Sequence, residues 1–99
     1  MPTFATTPRF RRDHAKLTTA QRERFRKIVL AEFVPDVDSG QFRLGLRVKG
    51  VQGAPGVYEM TWAPDGRATW QYSPEERPGT RHVIWRRVGT HAIFDPGPP

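Results

Sequence analysis

The stretch "VYEMTWAPDGRATWQY", residues 57–72, carries the clearest structural signal in this chain of 99 residues. On both sides of "APDG" apolar and polar residues alternate, which is the period of a strand with one buried face. Pro64 and Asp65 favour a type I turn, and Gly66 suits the left-handed position that closes such a turn. The segment therefore predicts a β-hairpin with an aromatic face. The opposite face is polar and carries Glu59, Thr61, Arg67, Thr69 and Gln71.

Two helices are predicted before the hairpin. In "TTPRFRRDHAKL", Thr7 and Pro8 have the positions of an N-cap and a first helical residue. In "TTAQRERFRKIVLAEFVP", Thr18 and Gln21 have the spacing of a capping box. Pro35 disfavours helical geometry at the residue before it, so we expect the second helix to end there. The second helix also carries an apolar stripe at helical spacing, formed by Phe25, Ile28, Val29 and Phe33.

Further strands are predicted on both sides of the hairpin. The residues of "FRLGLRVK", 42–49, alternate between apolar and basic or glycine, and "HVIWRRV", 82–88, contains apolar residues of both parities. Gly89 is expected to break this last strand, and "SPEERPGTR", 73–81, is expected to be a polar loop. A short leading strand in "TFAT", residues 3–6, is a further option.

The order of these elements predicts an α+β fold. We expect two N-terminal helices packed on one face of a mostly antiparallel, four- to five-stranded sheet. Residues 1–94 are expected to form a single domain, because a chain of this length has room for one core. The tail "DPGPP", residues 95–99, has too little apolar content to pack and is expected to be disordered.

The chain is basic and lacks cysteine. Its 16 Lys and Arg outnumber 10 Asp and Glu, and the absence of cysteine excludes disulfides and thiolate metal sites. Residues 1–50 hold 11 basic and 5 acidic side chains, whereas residues 51–99 hold 5 of each. Such a balance favours a nucleic acid or an acidic protein as partner. No apolar run is long enough to cross a membrane, so we expect a cytoplasmic protein with no membrane partner.

The segments "FRRDHAKLT", "LRVKGVQGAPGVYEMTWAPDGRATW" and "IWRRVGTHAIF" occur in the order and at the spacing of a known family. Over residues 4–94 the chain resembles the RelE/ParE superfamily of toxins from type II toxin-antitoxin systems. The resemblance implies the helix-helix-sheet fold, a cognate acidic antitoxin, and action on the ribosome and mRNA. By position in the motifs, it also implies that Arg67 contacts the scissile phosphate, that His91 has a catalytic role, and that Phe94 contacts RNA.

Cutting RNA by attack of a 2′-hydroxyl requires a base, an acid and charge stabilisation on the phosphate. An imidazole can act as acid or base, so His91 is a candidate proton carrier, and Glu59 could be a second one if it shares a face with Arg67. The predicted catalytic residues are therefore His91, Arg67 and Glu59. The predicted RNA-binding residues are Arg47, Lys49, Arg86, Arg87 and Phe94. Arg86 and Arg87 should point to opposite faces of a regular strand, so that at most one joins the His91 site.

No cofactor is expected, and no metal site, since the three histidines lack ligand-like spacing with carboxylates. Two alternatives to the ribosome-dependent endoribonuclease stay open. One is a ParE-like gyrase inhibitor, and the other is a non-catalytic basic binding module; neither requires His91.

Overall fold

A computed structural model of the protein describes residues 1–95 and residue 99. In these residues strand β1 (Thr3–Thr6) precedes helices α1 (Pro8–Lys16) and α2 (Thr19–Ile28), a π-helical turn (Val29–Phe33) and helix α3 (Val34–Ser39). A 3₁₀ turn (Leu44–Leu46), β2 (Lys49–Gly50), β3 (Val57–Thr61), β4 (Gly66–Arg77) and β5 (Thr80–Thr90) follow. A final 3₁₀ turn, His91–Phe94, is called the C-terminal turn below.

The five strands form one sheet in the order β1-β5-β4-β3-β2. β1 runs parallel to β5, and the other neighbours are antiparallel. The predicted α+β class with a mostly antiparallel sheet is confirmed, and so is the leading strand. Because that strand comes first, the helices start only at Pro8.

The two predicted helix starts are confirmed. The Thr7 hydroxyl accepts a hydrogen bond from the Phe10 amide at 3.0 Å. Thr18 and Gln21 form both bonds of the capping box. Each cap satisfies amide groups that the first helical turn leaves without a partner.

The predicted end of the second helix before Pro35 is wrong. The chain stays helical to Ser39, and the helix ends at Gly40, which has a φ of 81°. Just before the proline, Val34 donates its amide to the Val29 carbonyl in a π-helical turn. This wider turn relieves the contact that an α-helix would force between the proline ring and the preceding turn.

The core lies between the helices and one face of the sheet. Phe33 is fully buried; it packs edge-on against Trp70, at 5.1 Å between ring centroids, and in a tilted arrangement against Trp85, at 4.8 Å. Phe25 meets Trp62 and Trp85 at 5.7 and 5.5 Å. Aromatic side chains bury large areas and prefer tilted contacts of this kind, so they supply much of the stability.

The predicted strand over residues 42–49 is wrong apart from Lys49. Leu44 is 94% exposed whereas Leu46 is buried, and Arg47 has a φ of 50° that interrupts an extended chain. The Asp36 carboxylate fixes this segment by accepting hydrogen bonds from the amide, Nε and Nη2 of Arg43, at 2.9, 2.8 and 2.8 Å. Arg43 is therefore paired beside α3 and does not belong to a basic sheet face.

The predicted hairpin at residues 57–72 is confirmed, with Thr61 opposite Arg67. The Gly66 amide donates to the Ala63 carbonyl at 3.0 Å and closes the turn. The expectation that Gly66 adopts a left-handed conformation is wrong. Glycine is required there for space, since a Cβ would lie 2.7 Å from the indole of Trp62.

Two predictions about the last strands are also wrong. Residues 73–81 do not form a loop: β4 and β5 extend to Arg77 and Thr80, and Gly79 has a φ of 79°. A Pro-Gly pair with positive φ at the glycine suits a two-residue turn. Gly89 does not break β5, because it stays paired with Arg67.

The predicted disordered tail falls mainly on residues 96–98, which lie outside the described residues. The carbonyl of Pro99 accepts a hydrogen bond from Arg86 Nε at 3.1 Å. Of the helices in residues 1–95, none is long and apolar enough to span a membrane.

Replacing Gly66 with alanine tests the close approach of the turn to Trp62. The added methyl group overlaps a buried ring, so we expect G66A to lower the free energy of unfolding by about 1–3 kcal/mol. G45A is the matched control, because nothing lies within 4 Å of the corresponding methyl group. Denaturant unfolding measures both variants, and equal stabilities would contradict the steric argument.

Replacing Asp36 with asparagine tests the Arg43 contact. Hydrogen bonds from Arg43 hold the pKa of Asp36 below its usual value, so the contact stabilises the fold at neutral pH. This contribution disappears as the pH falls through the lowered pKa and the carboxylate is protonated. We expect D36N to melt below the wild type at pH 7, with the difference shrinking below about pH 4. A pH-independent difference in melting temperature would contradict this origin.

Candidate functional site

The sheet face opposite the helices carries two rows of cross-strand neighbours. Directly paired residues point to the same face of a sheet. The first row therefore comprises Lys49, Glu59, Thr69 and Arg87. The second row, one step closer to the β3–β4 turn, comprises Thr61, Arg67 and Gly89. Glu59 and Arg67 thus share a face, which is the condition for their acting together.

Glu59 lies in the middle of this face. Its side chain is only 14% exposed, and its carboxylate lies 3.8 Å from the ammonium group of Lys49. Lys49 is 68% exposed, so the charge of the pair faces outwards from the sheet edge.

Arg67 is positioned by the β3–β4 turn. Its Nη1 donates to the carbonyls of Gly66 and Pro64 at 3.0 and 3.3 Å. The Arg67 carbonyl in turn accepts from the indole of Trp62 at 3.0 Å. These bonds use one nitrogen of the guanidinium, and the edge bearing Nε and Nη2 makes no hydrogen bond within residues 1–95 and 99. That edge has the geometry for binding a phosphate with two hydrogen bonds.

His91 lies beside the same turn. Its amide donates to the carbonyl of Asp65 at 3.0 Å, two residues before Arg67. The imidazole is exposed and contacts the ring of Phe94, at 5.0 Å between centroids. In the described part of the chain it makes no hydrogen bond or ion pair, so both ring nitrogens are accessible to a ligand. The structure brings His91 and Phe94 together.

The C-terminal turn lies back against the sheet at Gly89. A Cβ at Gly89 would lie 2.9 Å from Cγ2 of the buried Ile93. The Thr90 hydroxyl accepts from the Ala92 amide at 3.3 Å and caps the turn. Glycine at position 89 therefore lets Ile93 reach the sheet. His91 and Phe94 belong to the same turn as Ile93, so their positions depend on this contact.

Arg86 and Arg87 have different surroundings. Thr69 pairs with Arg87 and Trp70 with Trp85, so Arg86 is the extra residue of a β-bulge and the expected strict alternation of the two arginines does not hold. Arg86 Nη1 donates to the Gln71 side chain at 2.6 Å. The Arg87 guanidinium instead binds the Asp13 carboxylate through Nε and Nη2, at 2.6 and 3.1 Å.

Arg47 lies apart from the two rows. It follows the 3₁₀ turn, is exposed, and precedes β2 by two residues. The structure does not bring it next to Arg67 or His91 through any described contact. Its predicted role in RNA binding stays a prediction.

The residues that the sequence did not indicate are Asp13 and Asp65. Asp13 lies on the helix face that also carries Phe10 and Leu17, and a carboxylate on a buried face is itself a signal that a partner must exist. Asp65 acts through its carbonyl, which no sequence pattern identifies. Among residues 1–95 and 99, no group of three His, Cys, Asp or Glu could hold a metal ion.

Comparison with solved structures finds the same architecture elsewhere. YafQ from E. coli superposes with a TM-score of 0.66 at 13% identity, over 96% of this chain and 99% of that one. The E. coli DinJ–YafQ toxin-antitoxin complex contains a chain with a TM-score of 0.69 at 15% identity, over 95% and 97% of the two chains. The chain has a RelE-like fold.

The RelB–RelE antitoxin-toxin complex of Methanococcus jannaschii gives a TM-score of 0.61 at 20% identity, over 95% of this chain and 99% of that one. No protein-family model and no curated protein matches this chain. The RelE-like fold that the sequence resemblance implied is thus confirmed, at identities that show the fold alone.

Replacing Gly89 with alanine tests how the C-terminal turn is placed. The methyl group meets the end of the Ile93 side chain, so we expect the turn to move while the sheet keeps its pairing. In G89A the hydrogen bond from the His91 amide to the Asp65 carbonyl should weaken, so exchange of the His91 amide should accelerate, and the amide chemical shifts of β3 should match those of the wild type. G45A again serves as control. An unchanged exchange rate of the His91 amide in G89A would contradict this role for Gly89.

Proposed function

We propose that the chain is the toxin of a toxin-antitoxin pair and acts in the cytoplasm as a ribosome-dependent endoribonuclease. The observation that carries the proposal is the placement of Arg67, Glu59 and His91. Glu59 and Arg67 share the sheet face opposite the helices, and the His91 amide is bonded to the turn that leads into Arg67. The residue that carries the imidazole is thus bonded through its backbone to the turn that leads into Arg67.

The likeness in fold to RelE and YafQ supports the toxin assignment without deciding the reaction, because one fold serves several functions. The gyrase-inhibitor and binding-module alternatives have the same fold. The exposed imidazole distinguishes the nuclease reading, because neither alternative uses a proton carrier at that position.

The proposed reaction needs no cofactor. The 2′-oxygen of a ribose attacks the adjacent phosphorus as its proton passes to a base. The P–O5′ bond then breaks as an acid donates a proton to the 5′-oxygen. The products are a 2′,3′-cyclic phosphate on the upstream fragment and a 5′-hydroxyl on the downstream fragment, so atoms and charges balance without water or metal.

In this scheme Arg67 binds the non-bridging phosphate oxygens and stabilises the charge that develops on them. His91 and Glu59 divide the roles of acid and base, and the ammonium group of Lys49 lies 3.8 Å from the Glu59 carboxylate. Phe94 is placed to stack on a base next to the cleaved bond. Lys49, Arg47 and Arg86 are proposed to bind the RNA backbone.

The partners proposed with this function are the ribosome with its mRNA and a cognate acidic antitoxin. The net positive charge of the first 50 residues supports an acidic partner, since opposite charges steer association.

The experiment compares the wild type with H91A and R67A after induced expression. We expect wild-type induction to arrest growth and to create new mRNA 5′ ends. Loss of a proton carrier should lower the cleavage rate about 10²- to 10⁴-fold. Loss of a phosphate-binding arginine should lower it about 10²- to 10³-fold. Cleavage of ribosome-bound mRNA in vitro gives the rates.

H14Q and R77A are the matched controls, because His14 lies on α1 and Arg77 at the far end of β4. Both should cleave like the wild type. Growth arrest that survives H91A and R67A, with no new mRNA ends in any of the strains, would refute the nuclease proposal.

A further inference from the structure

Asp13 lies beside β5, beyond the point where β1 stops pairing with that strand. β1 pairs with β5 only as far as Trp85, and the chain then turns away into α1. Beyond that point the Asp13 carboxylate accepts the amide of Val88 at 3.3 Å, in place of a strand carbonyl. Its side chain is 10% exposed. A helix residue thus satisfies an edge amide of the strand that leads to the C-terminal turn.

Arg87 joins Asp13 to the C-terminal turn. Two of its nitrogens bind the two oxygens of Asp13, and the third, Nη1, donates to the Ile93 carbonyl at 3.4 Å. A planar guanidinium held at two points by a carboxylate has a fixed direction for its remaining donors. The position of the Ile93 carbonyl is therefore coupled to Asp13 of α1.

In the sequence Ile93 lies between His91 and Phe94, whose rings contact each other. His91 precedes it by two residues, and Phe94 follows it directly. A pocket of about 370 Å³ opens beside this contact, lined by Asp13, Gln21, Arg87, Thr90 and Ile93 among others. On the side of this pocket the Arg87 contact holds the turn, in addition to the hydrogen bond from the His91 amide to Asp65 and the packing of Ile93 at Gly89.

We propose that Asp13 and Arg87 are positioning residues that fix the C-terminal turn and thereby orient His91 and Phe94 for reaction. Arg87 acts through Ile93 and does not itself bind RNA. Its side chain is 15% exposed and all three of its nitrogens have protein acceptors. A phosphate could bind it only after displacing Asp13. The proposal deepens the proposed function and rests on it for the catalytic consequence.

The Asp36–Arg43 pair provides a matched control. It is also a bidentate contact between aspartate and arginine in the same chain, but it lies beside α3. D13N and D36N each remove one carboxylate charge from such a pair. A purely stabilising role for Asp13 predicts similar behaviour of the two variants, whereas a positioning role predicts a local effect of D13N.

The first measurement is amide hydrogen exchange in the wild type, D13N, R87K and D36N. In D13N and R87K we expect exchange at His91 and Asp95 to accelerate at least about tenfold more than at Trp70, a core amide, because only the turn is released. In D36N the three sites should change together. Should D13N fail to fold, R87K keeps the charge and still loses the bridge, since lysine cannot make three directed contacts.

The second measurement is cleavage of ribosome-bound mRNA. We expect D13N and R87K to lower kcat about 10- to 100-fold with little change in KM, because the catalytic groups are misplaced. Uniform exchange in both variants would overturn the proposal, and so would an effect of R87K on KM that D13N lacks. If the wild type does not cleave RNA, the proposed function fails, while the exchange measurement still decides whether Asp13 and Arg87 hold the turn.

Discussion

The packing of Phe33 against Trp70 and Trp85 is the contact on which the rest of the structure depends. Phe33 ends the π-helical turn, and the two indoles belong to β4 and β5, the central strands of the sheet. This single cluster joins the helical layer to β4 and β5, the strands that carry Arg67, Arg86 and Arg87. On the opposite sheet face the C-terminal turn lies against Gly89 and Thr69 is buried, whereas Lys49 and Arg67 stay exposed in whole or in part.

The elements that the sequence predicts correctly are those whose signals are local. Capping at Thr7 and Thr18 needs only residues within one helical turn, and the hairpin at residues 57–72 needs only alternation and a turn. The failures come from side-chain contacts that alternation and turn preferences do not indicate. Asp36 binds Arg43 and bends a segment whose alternation indicates a strand. The ring of Trp62 leaves no room for a side chain at position 66, so glycine is required there.

The candidate site shows the same division. The shared face of Glu59 and Arg67 follows from the period of two strands, and the sequence predicts it. The placement of His91 depends on the Asp65 carbonyl, on Ile93 reaching Gly89, and on Arg87 held by Asp13. None of these contacts has a sequence pattern. The arginines consequently divide by their partners: Arg87 and Arg43 are paired with carboxylates in the protein, whereas Arg67 is bonded through Nη1 to backbone carbonyls of its own turn.

The proposed function requires that the protein cut RNA with groups of its own chain, through attack by the 2′-hydroxyl. The most direct test is the chemical identity of the ends left on mRNA cleaved by the purified protein on ribosomes. A 5′-hydroxyl on the downstream fragment, with a 2′,3′-cyclic or 3′-phosphate on the upstream fragment, is the predicted result. A 5′-phosphate and a 3′-hydroxyl, or no cleavage at all, would contradict the account.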